Sequence, residues 1–216
     1  MPWTPSQLDE QKNRFTRRTA EFAQVGFDRF GAPEFILDQA GPLSGPVLDV
    51  GSGMGITARA LATRGLDVVS VDLNADDQQV AAHLTDLPEH QARIDYLPCD
   101  AACLPFAAGH FGAAVAIDVL HHLEAGGPVL REMVRLVAPG GLIVLADFST
   151  EGFDMVSRVH AAENRVHPVG PVTVDWARGF MSALGAAELR LTEGHLHRVA
   201  VFRTPPSPPA APTRLS

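Results

Sequence analysis

The segment VLDVGSGMGITARALA, Val47 to Ala62, limits what this chain can become more than any other. Apolar residues run into Asp49, glycines follow at alternate positions (Gly51, Gly53, Gly55), and an Ala/Leu/Arg-rich stretch with helical spacing begins behind them. That is the pattern of a strand, a tight turn free of side chains, and a helix start. Glycine lets the turn take φ > 0 and lets a ligand lie against bare backbone. The N–H groups of the helix N-terminus then face an anionic group. The dinucleotide fingerprint G-x-G-x-x-G asks for a third glycine where Ile56 stands. Asp49, at the strand end, would repel a pyrophosphate and suit an ammonium.

Acids recur downstream at the ends of apolar runs. DVVSVDLN, Asp67 to Asn74, reads as a second buried strand ending in Asp72, 21 residues beyond Gly51. An acid at about that distance can accept from both hydroxyls of a ribose, with about 20 residues the usual separation. IDYLPCDAACLPF carries Asp100 and Ala101, FGAAVAIDVLHHL a fourth strand and its loop, and VRLVAPGGLIVLADF a helix end, a Pro-Gly-Gly turn and a fifth strand. Singly, Asp72 or Asp100 is equally a helix or turn cap. Jointly, at the carboxyl ends of consecutive parallel strands, they mark a ligand crevice.

These five segments, over about residues 45–150, resemble the class I S-adenosylmethionine-dependent methyltransferases, and within them the type 11 subfamily that includes quinone C-methyltransferases. The resemblance implies S-adenosyl-L-methionine as cofactor and S-adenosyl-L-homocysteine as product. It implies a cofactor site of Asp49, Gly51, Ser52, Gly53, Asp72, Leu73, Asp100, Ala101 and Asp118. Asp72 would hold the ribose, Asp100 the adenine amine, the Ala101 N–H the ring, and Asp118 the methionine end. The competing readings are an NAD(P)-binding oxidoreductase and a non-catalytic S-adenosylmethionine-binding partner protein. Binding residues alone do not separate the last from an enzyme.

The rest of the chain alternates strands and helices, which implies parallel βαβ units. Strands are expected at 46–50, 67–71, 94–97, 112–117 and 142–147, with helices at 55–64, 75–86 and 126–137. Two more helices are expected at 152–168 and 173–185. Ala187–Arg203 reads as a hairpin turning at Glu193-Gly194, which matches the family's antiparallel last strand. The expected fold is α/β: a Rossmann-like doubly wound sheet, mostly parallel, with an antiparallel C-terminal strand and an N-terminal helical lid. Residues 1–43 form that lid, with a stripe of Leu8, Phe15, Phe22, Val25 and Phe30 and a short helix over Ala32–Ala40. Residues 44–204 form the methyltransferase domain, and the Pro-rich 205–216 a disordered tail.

With 216 residues, 46% of them hydrophobic, the chain can bury one core. A net charge of −8 and the lack of a dense basic cluster disfavour nucleic acid as partner. Two cysteines, Cys99 and Cys103, make no disulfide framework, and a cytoplasmic setting is expected. No membrane span is expected. The expected partner is a small-molecule acceptor, and the expected state a monomer or homodimer.

Methyl transfer from a sulfonium is an in-line displacement that needs alignment, exclusion of water and removal of the acceptor's proton. In the family, the loop after the fourth strand faces the methyl group; here it is Asp118-Val119-Leu120-His121-His122-Leu123. His121 and His122 are the candidate bases. Being adjacent, only one is expected to face the pocket, and a loop-bracing role is the alternative. The Asn/Asp-Pro-Pro-aromatic tetrad of amino-group methyltransferases is missing, which disfavours nucleobase or amide N-methylation. A second cluster, His160, Glu163 and His167, falls at i, i+3, i+7 on one helical face, with Asp147 at the end of the preceding strand. It is expected to line the acceptor pocket opposite His121 without metal. A solvated face and a two-His-one-carboxylate metal site are the alternatives. His195 and His197 are expected at the surface of the hairpin.

Overall fold

The computed structural model describes residues 3–85 and 93–206. Residues 207–216 of the Pro-rich tail, and the last residue of the helix expected at 75–86, lie outside them. Seven strands form one sheet: β1 (Val47–Val50), β2 (Val68–Asp72), β3 (Ile94–Pro98), β4 (Phe111–Ile117), β5 (Val137–Phe148), β6 (Ala187–Gly194) and β7 (His197–Arg203). Their order is β3-β2-β1-β4-β5-β7-β6. The first five are parallel, while β7 runs antiparallel to both β5 and β6. The sheet is therefore Rossmann-like, as its alternating pattern implies, with an antiparallel C-terminal edge. The hairpin turns one step later than Glu193-Gly194, at His195 (φ 48°) and Leu196 (φ 63°), a left-handed pair that matches strand twist.

Parallel strands covered on both faces must be apolar throughout. All four residues of β1 are buried, as are six of the seven in β4. One face packs on α5 (Gly126–Leu136) and α7 (Val174–Ala183), through Leu130, Met133, Ala177 and Met181. The other packs on α2 (Gly31–Ala40) and α3 (Ile56–Thr63), through Ile36, Leu37 and Leu61. Ile36 and Leu37 are fully buried, so α2 is part of the core rather than a lid over it. The strand order reverses between β1 and β4, so their carboxyl ends open the crevice where such sheets bind ligands.

Helix α1 (Pro5–Gln24) begins at a capping box in which Thr4 and Gln7 satisfy each other's backbone N–H groups. It stops short of residue 30 because Gly26 turns the chain at φ 83°, and Val25 and Phe30 stay exposed. Two anchors hold α1 over the crevice. At its N-terminal side the Trp3 indole donates to Asp76 at 2.8 Å, on α4 (Ala75–Leu84). At the other, Phe22 and Phe27 pack with Met155, Val156 and Val159 of α6 (Thr150–Ala162) in a separate small core.

Candidate functional site

The turn after β1 is built from glycines used for different reasons. Gly51 (φ 74°) lies against the loop after β4; a Cβ there would sit 2.2 Å from Val119 Cγ2. At Gly53 (φ 48°) a Cβ would meet nothing within 4 Å, so that position faces open groove. Asp72, at the end of β2, accepts from the Gly53 N–H through Oδ2 and from the Asn74 N–H through Oδ1, both at 2.8 Å. Each oxygen keeps a lone pair, so the carboxylate is fixed in place and still able to accept from a diol. Leu73 beside it is 78% exposed, an apolar surface suited to a purine ring. Ser52 is held by the Gln78 amide, whose Nε2 donates to its hydroxyl at 2.7 Å. Asp100, at the end of β3, caps its own turn by accepting from the Ala102 N–H at 2.9 Å, with Ala101 in between. The groove over this turn fits the adenosyl cofactor: open above Gly53, with a diol acceptor at Asp72 and apolar surface at Leu73.

Asp49 stands differently from the others. Only 1% of it is exposed, beneath the turn, and Oδ2 accepts from the Ser70 hydroxyl at 3.1 Å. Burial pushes its pKa up to about 7, with the Ser70 hydrogen bond opposing and the Asp72 charge adding to the rise. Toward an ammonium above the turn it therefore acts by field, not by an open oxygen. Asp118, in the left-handed region at φ 56°, is tied at Oδ1 to His197 Nε2, 2.8 Å away. His197 itself is fully buried, not at the surface. Its Nδ1–H donates to the His195 carbonyl at 2.6 Å. Burial pulls its pKa down, but Asp118 outweighs burial and leaves it raised. His195 stacks on Phe35, with centroids 4.7 Å apart.

Beyond the turn, under α1, lies a cavity of about 580 Å³. His121, His122, His160 and His167 all line it. Both adjacent histidines reach it: on the 3-10 turn Leu120–His122 successive side chains are about 120° apart instead of pointing to opposite sides as on a strand, and the two ring centroids lie 4.0 Å apart. His121 is 2% exposed and forms a closed pair with the buried Asp147. Its Nδ1–H donates to Asp147 Oδ1 at 2.6 Å and its backbone N–H to Oδ2 at 2.9 Å. That fixes the tautomer: Nε2 carries the lone pair, and His167 Nε2 stands 3.0 Å from it. Asp147 does not itself line this cavity and reaches it through His121.

The helix expected at 152–168 ends at Ala162, where Asn164 takes φ 54°. His160 and His167 therefore do not share a helical face. His167 comes back on a loop, its ring 4.7 Å from that of His160 and 4.9 Å from that of His121. Burial and the neighbouring His121 hold His167 down to about 4, so it is neutral at physiological pH. Glu163 points away, to Arg165 at 3.1 Å and Arg18 at 3.8 Å. The metal-capable group among the described residues is consequently His121, His122 and His167, whose ring nitrogens all lie within 4.8 Å. It is not His160/Glu163/His167. The alternation in β7 carried a signal for His197, which shares parity with buried Val199 and Val201. Of the arginines of the cavity wall, Arg14, Arg18 and Arg29 carried none, because in the stripe over residues 6–30 they read as its solvated face, and neither did Arg165.

A mostly parallel sheet with an antiparallel final hairpin, an acid-tipped crevice and a glycine turn together make a Rossmann-like fold with a ligand crevice, the fold shared by solved methyltransferase structures. Residues 48–145 match the family model for a methyltransferase domain. Over that segment, a little under half of the chain, the sequence is similar to methyltransferases. It is 34% identical over 119 residues to a demethylmenaquinone methyltransferase of Renibacterium salmoninarum, covering 55% of this chain and 48% of that one. With a ubiquinone biosynthesis O-methyltransferase of a Caulobacter species it shares 30% identity over 131 residues, covering 60% and 51%. The chain thus spans about half the length of these curated relatives. Among solved structures, the cyclase SpnF superposes with TM-score 0.68 at 16% identity, covering 83% of this chain and 82% of that one. At that identity the likeness is one of fold.

Proposed function

We propose that this chain transfers the methyl group of S-adenosylmethionine to a small-molecule acceptor in the cavity under α1. The cofactor would lie over the Gly51–Gly53 turn, held by Asp72, Leu73, Asp100, Ala101 and the Asp118 backbone. When bound, it supplies an electrophilic methyl on a sulfonium, and the protein's task is alignment and proton removal. The His121–His167 pair takes the acceptor's proton at the cavity. Asp147 stabilises the imidazolium that forms on His121 and keeps its lone pair aimed outward. His122, and His160 through its neighbours, shape the wall. Helix α1 excludes water. The observation that carries the reading is the Asp147–His121–His167 chain, at 2.6 and 3.0 Å, ending in the cavity beside the glycine turn.

The relatives are a demethylmenaquinone methyltransferase and a ubiquinone biosynthesis O-methyltransferase, and this supports a small organic acceptor over nucleic acid. No helix among the described residues is long and apolar enough to cross a membrane. We place the protein in the cytoplasm, as a monomer or homodimer. The reading is tested by incubating the protein with methyl-labelled S-adenosylmethionine and a panel of small phenols and quinols. Transfer of label that His121→Gln lowers by roughly 10²–10⁴ fits a positioned base. Transfer unchanged by that substitution refutes the role given to His121.

A further inference from the structure

Arg29 is a cavity-wall residue with no part in the proton chemistry. It follows α1 and lies between two rings, its Cζ 5.0 Å from the centroid of Phe15 and 5.3 Å from that of Phe22. Its Nη1 donates to the Thr19 hydroxyl at 3.1 Å. A guanidinium carries five donors, and no carboxylate among the described residues pairs with this one. The acid whose field reaches it, Asp118, is already engaged by His197 at 2.8 Å. Beside it the Arg18 Nη2 lies 2.5 Å from His160 Nε2, and that leaves His160 Nδ1 buried without a partner. Arg18 also has Glu163 at 3.8 Å, so the wall presents one half-buried cation without a paired carboxylate, Arg29, beside an orphaned imidazole nitrogen. Leaving desolvated donors unpaired costs stability unless something else completes them.

A ligand anion completes them. The planar fork of a guanidinium matches a carboxylate through two parallel hydrogen bonds. Phe27, Phe148 and Val156 line the same cavity and offer an apolar bed between this wall and His121. We propose that Arg29, seconded by Arg18, binds a carboxylate of the methyl acceptor, so that the acceptor is an acid with a flat apolar body. Its carboxylate points to α1 and its methylated atom to His121. This rests on the proposed reading that the cavity receives the acceptor. The other carboxylate that could reach these arginines is that of the cofactor's own methionine moiety, and the experiment separates the two.

Calorimetric titrations use protein saturated with S-adenosylhomocysteine and four probes: 3,4-dihydroxybenzoate, 4-hydroxycinnamate and the primary amide of each. The wild-type chain is expected to bind at least one acid about ten-fold or more tightly than its amide, in line with a charge-assisted pair. Arg29→Met is expected to erase that preference while S-adenosylhomocysteine affinity stays within about two-fold. Its melting temperature should not fall, because methionine spans the two rings without an unpaired charge. Equal affinity for acid and amide in the wild type, or no binding of either acid, overturns the proposal without need of the variant. So does a loss of S-adenosylhomocysteine affinity in Arg29→Met, which would assign the arginine to the cofactor. Wild-type protein that binds no S-adenosylhomocysteine defeats the methyltransferase reading instead.

Discussion

Asp49→Asn isolates the buried carboxyl under the glycine turn. In the folded chain burial raises the Asp49 pKa from 3.8 to about 7. Between those values the native state holds a proton that the unfolded chain has released, so stability falls as pH rises through the window. The full shift, about three pH units at 1.36 kcal/mol each, corresponds to roughly 4 kcal/mol. Integrating the linkage relation, about half of this, ~2 kcal/mol, falls between pH 5.5 and 8.5. Asparagine cannot titrate, so the stability difference between variant and wild type should move by ~2 kcal/mol in the variant's favour over that interval. Urea unfolding at both pH values measures it, each variant serving as its own control for every other titration. S-adenosylhomocysteine, whose ammonium would sit above the turn, should compress the swing in the wild type by pulling the pKa back down. A difference that stays flat to within about 0.5 kcal/mol would refute the reasoning: Asp49 would then be ionised in the fold at ordinary pH.

Gly51→Ala should destabilise the chain, because its Cβ collides with Val119. Gly53→Ala should fold with only about 1 kcal/mol of backbone strain yet lose S-adenosylhomocysteine binding. Thermal melts with and without ligand separate the two; equal behaviour contradicts the roles given to the glycines. Asp147→Asn should lower turnover roughly as much as His121→Gln while leaving S-adenosylhomocysteine affinity alone, since both act on one imidazole. A variant with wild-type turnover removes Asp147 from the mechanism. Because the ring nitrogens of His121 and His167 are assigned to protons, protein purified without an affinity tag should carry substoichiometric zinc, iron or manganese by elemental analysis. One metal per chain would reassign the three histidines as ligands.

What could be read from the sequence was local. Gly51, Gly53 and Asp72 are tied together by one strand-turn-helix unit, so their spacing already encodes the Gly53–Asp72 hydrogen bond. That β1 to β5 run parallel follows from apolar runs alternating with helices, and the handedness of βαβ crossovers narrows their order to a few arrangements. The acceptor side was less legible, because it is assembled from segments far apart. His121 meets His167 across 46 positions and Arg18 meets His160 across 142. Helical periodicity grouped His160, Glu163 and His167, and the left-handed Asn164 undid that grouping. Likewise adjacency suggested that His121 and His122 diverge, yet their rings lie 4.0 Å apart on one cavity wall. Asp49 shows the limit of motif reading: its position was clear, but a motif does not say that the carboxyl is roofed over by its own turn.

The central claim is that the groove over the glycine turn is a site for the adenosyl cofactor, gripped at the ribose by Asp72. Titration calorimetry with S-adenosylhomocysteine, run in parallel with NAD+ and NADP+, tests it most directly. The account predicts one site per chain for S-adenosylhomocysteine and none for either dinucleotide. It also predicts a loss of about 1.5–3 kcal/mol, roughly ten- to 150-fold in affinity, on Asp72→Ala. No S-adenosylhomocysteine binding by the folded wild-type chain, or wild-type affinity in Asp72→Ala, would contradict it.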